Sequence, residues 1–198
     1  ELNAFLVAER KLDPVVERLL TELWPVVRPM RTLEIAVEVI GAMDEASSDL
    51  SQKQLKLSAA RLAAKMTTVV AAYHRLRMGE TLIQPRDDLP HAANFLYMLT
   101  GEEPNELQAR VMDVAFILHT EHEMNASTFS AIVTGSTLSD MYSAIASAIG
   151  TLKGPLHGGV NEAVYKTVNA IGEERNIASY VEAMLGRGER VMGIGHRV

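Results

Sequence analysis

The sequence predicts an all-α protein, and three observations carry that prediction. The chain is 47% hydrophobic but only 5% aromatic, so Leu, Ala, Val, Ile and Met must fill the core, which suits packed helices better than stacked sheets. Apolar residues recur at three- and four-residue spacing, with cap and stop residues between the runs. Strand signals are weak throughout; at most residues 190–194 are expected to be extended.

The elements follow in order. Asp13-Pro14 is a start signal, with Asp at the cap and Pro in the first turn. Val15, Val16, Leu19, Leu20 and Leu23 form the apolar stripe of that helix, and Pro25 ends it. Thr32 is expected to cap a second helix, with Leu33, Ile35, Ala36, Val39, Ile40 and Met43 at helical spacing. Ser51 caps a long third helix free of proline and glycine up to Gly79, its C-cap. Residues 80–89 read as a loop. A short helix over 92–99 is closed by Gly101, and Pro104 opens another that reaches about His119. Two more are expected at about 126–134 and 138–151. In the last, Ser143, Ala144, Ala146, Ser147 and Ala148 let another helix approach closely, either in the core or at a subunit interface.

Beyond Gly154 the texture changes. Glycine-rich turns separate shorter helices expected at about 160–171 and 177–187. The chain therefore reads as a large helical domain over 1–154 and the start of a small one over 155–198. The second part holds too little for an independent core, and a longer natural protein is expected to continue past Val198.

Composition excludes several classes. The formal charge is −6, from 25 acids against 19 bases, and no long basic run occurs, which disfavours a nucleic-acid partner. A local cluster of His and Arg could still hold a small anion. There is no cysteine, which removes disulfides, thiolate metal sites and a Cys nucleophile. No apolar run approaches the roughly 18 residues of a membrane span, and the start carries no secretory pattern. A soluble, cytoplasmic protein is expected.

The six histidines differ in their surroundings. His74 lies within the long helix, and His91 follows Pro90 at a helix start; both read as surface or capping residues. His119 and His122 form HTEHE, and their spacing of three places both rings on one side of a helix end. A metal with an added carboxylate, a structural hydrogen bond and a substrate contact all remain open for that pair; the HExxH pattern is absent.

His157 and His196 sit in glycine-bordered turns, 152-LKGPLHGGVNEAV-164 and 190-RVMGIGHRV-198. Glycine lets the backbone come close to a bound group and frees N–H groups to point at it. An imidazole held there can donate a hydrogen bond to a carbonyl oxygen or pass a proton near neutral pH. The dinucleotide GxGxxG and P-loop patterns are both absent.

These motifs resemble the citrate synthase family. The stretch 118-LHTEHEMNASTF-129 is similar to that family's LHADHELNASTF, 153-KGPLHGGVNEA-163 to its KGPLHGGANEA, and 191-VMGIGHRV-198 to the start of its MGFGHRVYK. The piece 93-ANFLYMLTGEEP-104 adds support, so the resemblance covers essentially the whole chain, in its shorter bacterial and archaeal form. It implies an almost all-helical homodimer that binds oxaloacetate and an acyl-CoA between a large and a small domain. No metal and no tightly bound cofactor are implied; acetyl-CoA, or propionyl-CoA in the 2-methylcitrate synthases, is a co-substrate.

By position, the resemblance implies that His157 hydrogen-bonds the thioester oxygen and stabilises the enol of the acyl-CoA. It implies that His196 polarises the oxaloacetate ketone and that His122 helps hold oxaloacetate. The backbone around Arg190, Val191, Met192, Gly193 and Ile194 would cradle the CoA adenine. The family's general-base aspartate and its carboxylate-gripping arginines match no residue here, Arg197 included. The 198 residues are thus expected to be an N-terminal fragment, inactive alone. The alternatives are a 2-methylcitrate synthase and a non-catalytic helical binding module on the same scaffold.

Overall fold

A computed structural model describes residues 2–121 and 123–194. Among these the secondary structure is helical, with no strand. The chain divides into two compact units, residues 1–150 and 151–198.

The first unit contains α1 (Leu2–Glu9), α2 (Pro14–Leu23), α3 (Pro29–Ala42), α4 (Gln52–Arg77), α5 (His91–Thr100), α6 (Glu106–Leu118) and α7 (Ala126–Ser136). The helix α8 (Met141–Leu152) runs to its end and two residues beyond. Pro14 and Pro29 each occupy the first turn of a helix, where a missing N–H costs nothing. Thr32 does not cap α3 as expected. It lies inside the helix, fully buried, and its hydroxyl donates to the Arg28 carbonyl; Pro29 had already supplied the start.

Ser51 does cap α4, its Oγ accepting from the Gln54 N–H at 3.3 Å. Gly79, at φ +77°, takes the left-handed turn that follows the helix. At α6 the start is a reciprocal capping box: Asn105 accepts from the Gln108 N–H, and the Gln108 side chain accepts from the Asn105 N–H, both at 2.9 Å. The helix α1 was not expected, because its apolar residues surround the axis without a stripe.

The core of this unit is made by α2, α3, α4 and α8. Val16, Leu20, Ala36, Val37, Ile40, Leu62, Val69, Tyr142, Ala146 and Ile149 form one buried cluster with Leu12 and Ala72. Small residues set the approach of α8: a Cβ on Gly41 would lie 2.5 Å from the Tyr142 Cβ. Ser130 of α7 meets Ser147 of α8, Oγ to Oγ, at 2.6 Å.

A charged network ties the unit's ends together. Tyr142 donates to Asp44 Oδ2 at 2.6 Å, Arg61 also pairs with Asp44, and the Arg61 Nε donates to Glu9 at 3.0 Å. Burial alone would push the Asp44 carboxyl up. The Tyr142 hydroxyl, the Ala46 N–H and Arg61 outweigh it, leaving Asp44 below the ordinary carboxylate range.

The second unit holds α9 (Val160–Ile171), a 3₁₀ turn (Glu174–Asn176) and α10 (Ile177–Gly186). Residues 190–194 are not a strand; they include a turn at Met192-Gly193, with Gly193 at φ +91°.

Candidate functional site

The turn that carries His157 is compact and hydrogen-bonded to itself. As α8 ends, the Gly154 N–H donates to the Thr151 carbonyl at 3.1 Å. The Gly154 carbonyl then accepts from the His157 N–H at 3.0 Å and the Gly159 N–H at 3.1 Å. The His157 carbonyl accepts from the Val160 N–H at 3.1 Å as α9 begins.

Two glycines are needed here for room, not for unusual dihedrals. A Cβ on Gly158 would come within 2.6 Å of the Leu152 carbonyl, and one on Gly159 within 2.8 Å of the Gly154 carbonyl. The turn closes on its own backbone, and the half-buried His157 side chain is set within it. Chemically, such a site offers an imidazole on a hydrogen-bonded turn, with Leu156 beside it strongly exposed.

The second motif begins at the end of α6. His119 is the C-cap of that helix, and its Nδ1 lies 2.7 Å from the Ala115 carbonyl. A carbonyl can only accept, so Nδ1 carries the proton and Nε2 points elsewhere. Glu123 follows in the left-handed region at φ +57°. Asn125 then caps α7, its Oδ1 accepting from the Thr128 N–H at 2.9 Å and the Ser127 hydroxyl at 2.8 Å. Residues 125–128 are thus the cap and first turn of α7. His122 itself lies outside the described residues, as does His196.

Of the 190–194 stretch, Arg190, Gly193 and Ile194 are exposed, while Val191 and Met192 are half-buried. Gly193 packs so closely on α9 that a Cβ there would lie 2.7 Å from Val164 Cγ2. The stretch is therefore seated against the helix that starts just after His157. Among the described residues no group of three His, Asp or Glu side chains could hold a metal ion, and no helix is long and apolar enough to cross a membrane.

Sequence reasoning missed one histidine's setting. His91 is not a surface cap: its Nδ1 is shielded and has no hydrogen-bond partner, and its ring lies 5.8 Å from that of Phe116. The signal in the sequence was Pro90, which places residue 91 at the first position of α5, where a ring turns inward as easily as outward.

The fold defines the class first: an all-helical chain in two compact units, with glycine turns presenting polar side chains in the second. The family is given by comparison. The family described as "Citrate synthase, C-terminal domain" matches residues 1–198, and the chain belongs to the citrate synthase family.

Its relatives agree. A citrate synthase of Deinococcus radiodurans is 44% identical over 198 residues, covering 100% of this chain and 52% of that protein. A 2-methylcitrate synthase of Mycobacterium tuberculosis is 41% identical over 191 residues, covering 96% of this chain and 48% of that protein. Among solved structures, the citrate synthase of Thermoplasma acidophilum in ternary complex with carboxymethyl coenzyme A and oxaloacetate is similar at a TM-score of 0.91 and 28% identity. That match covers 100% of this chain and 52% of the other. The chain thus spans about half the length of the relatives it matches.

Proposed function

We propose that the protein containing this chain condenses acetyl-CoA with oxaloacetate and water to give citrate and CoA, as a cytoplasmic step of the tricarboxylic acid cycle. The observation that carries the reading is the family match over all 198 residues. The presence of oxaloacetate and a CoA derivative in the related Thermoplasma complex supports the substrate pair.

In this reading residues 1–154 belong to a large domain and 155–198 begin a small one. Removing a proton from the thioester methyl group places charge on oxygen, and that charge needs a preset donor shielded from bulk water. His157 supplies it as a neutral imidazole N–H, a donor that does not compete as a strong acid. The proton itself goes to a carboxylate base, an aspartate of the family that matches no residue of this chain. His196 donates to the oxaloacetate ketone and protonates the alkoxide that forms as the new carbon–carbon bond closes. His122 helps hold oxaloacetate, and the backbone from Arg190 to Ile194 receives the CoA adenine. No metal and no tightly bound cofactor enter.

The protein is a homodimer in the same proposal. Its support is a stripe of exposed apolar residues on α6, namely Leu107, Val111, Val114 and Leu118, at the spacing of one helix face. Phe129, Ile132 and Val133 of α7 are exposed as well. Apolar surface of this extent marks an interaction site.

The 41% identical 2-methylcitrate synthase favours one second reading, with propionyl-CoA as the acyl donor. One extra methylene changes transition-state binding by only about 1–3 kcal/mol. The test is CoA release by the whole protein with oxaloacetate and either acyl-CoA. A higher kcat/KM for acetyl-CoA supports the main reading, and a higher one for propionyl-CoA supports the second. No release with either overturns both.

A further inference from the structure

Buried Arg10 and half-buried His91 are polar groups for which the proposed chemistry has no use. Arg10, just past the end of α1, is 2% exposed. Its Nη1 donates to the carbonyls of Leu89 at 2.8 Å and Arg86 at 3.0 Å. Its own carbonyl accepts from Thr68 of α4 at 2.8 Å. One arginine thereby holds the loop before α5 against the end of α1 and the body of α4. Its Nε, a donor, is buried without a partner, and so is His91 Nδ1 two residues beyond Leu89.

A neutral His91 can keep Nδ1 as a bare lone pair, whereas protonation would make it a shielded donor with no acceptor. Three features oppose a proton there. His91 is the first residue of α5, where the helix dipole disfavours a cation. Its ring packs toward Phe116, which also meets Phe95 at 5.5 Å. The Arg10 charge acts on it directly. Asp113 of α6 pulls the other way, and Asp87 of the loop acts on Arg10. Burial is the largest influence and Arg10 the next, and together they outweigh Asp113, so the ring sits below its ordinary value of 6.5.

We propose that Arg10 and His91 form a proton-sensitive clasp. Neutral His91, packed toward Phe116 beside the buried Arg10, fastens the 86–90 loop and the end of α1 to α5 and α6, and protonation in mild acid loosens that joint. The sign follows from proton counting. The folded state binds fewer protons at this site than the unfolded chain once pH falls below about 6.5, so stability drops as pH falls through that value and levels off below the folded-state midpoint.

The test is a titration of the whole protein carrying ¹³Cε1-labelled histidine, followed by NMR, with the His91 signal assigned by its loss in His91→Gln. The expected midpoint lies below 6.5 and moves upward in Arg10→Met. A wild-type midpoint at or above 6.5, or one unmoved by Arg10→Met, overturns the clasp. Should Arg10→Met not fold, thermal unfolding of wild type and His91→Gln between pH 7.5 and 5.5 decides the matter. A steeper fall in wild type supports the clasp, and parallel curves overturn it.

Discussion

In residues 1–150, Val16, Leu20, Ala36, Val37 and Ala64 are wholly removed from solvent, and a dozen buried side chains form one cluster. In residues 151–198, Met184 is the one hydrophobic side chain exposed by less than a tenth among the described residues. The first region also holds the charged network of Glu9, Asp44, Arg61 and Tyr142. The second holds the glycine turn of His157. The buried core and the candidate catalytic histidines, His157 and His196, are thus carried by different parts of the sequence. Substitutions in the two regions should therefore fail in different ways: loss of turnover in one, loss of stability in the other.

The largest expected effect is His157→Ala in the whole protein. Loss of a preset donor to a developing oxyanion costs about 10²–10³-fold in kcat. Because His157 belongs to no buried cluster, the melting temperature should stay close to wild type. Steady-state CoA release and a thermal melt together check this, and a collapse of both would erase the contrast between the regions.

Gly41→Ala should do the reverse. Its Cβ would overlap the Tyr142 side chain at 2.5 Å, and overpacking of this kind costs about 1–3 kcal/mol. Denaturant unfolding should register the loss, while kcat at a permissive temperature stays near wild type.

Tyr142→Phe sharpens the electrostatic side of the comparison. It removes the hydroxyl that donates to Asp44, at a cost of about 1–3 kcal/mol for a buried polar group left short of a partner. Asp44 lies below its ordinary 3.8 in the fold, so its contribution is present above that pH and is lost as pH falls toward the folded-state value. In Tyr142→Phe the Asp44 value should rise and the acid-unfolding midpoint shift to higher pH. Acid titration followed by circular dichroism measures it.

Asn105→Ala should be the mildest, costing about 1 kcal/mol through loss of the α6 capping box. Denaturant titration would detect it, and a neutral result would mean that packing on α5 alone holds the start of α6.

Much of this arrangement is legible in the sequence. Ser51, Gly79, Gly101 and Asn125 mark helix ends by chemistry that acts within a few residues, and each does so in the fold. The motifs around His157 and His119 are readable for the same reason: a glycine turn and a helix cap are local. Tertiary context hides the rest. Nothing near Arg10 in the chain announces that its guanidinium meets carbonyls 76 and 79 residues away. Thr32 carries a cap's chemistry but is overruled by Pro29 upstream. The helix α1 lacks a stripe, and its placement rests on contact with α4 and on the Glu9–Arg61 pair, which no local pattern contains.

The most direct test of the central claim is the exchange of acetyl-CoA methyl protons for deuterium in D₂O, catalysed by the whole protein with a non-reacting analogue in the oxaloacetate site and followed by NMR. Enol formation is then observed apart from condensation. Exchange is expected in wild type and in Gly41→Ala at a temperature where that variant is folded, and its loss in a folded His157→Ala protein. Undiminished exchange in His157→Ala would contradict the assignment of the glycine turn as the place where the enol is stabilised.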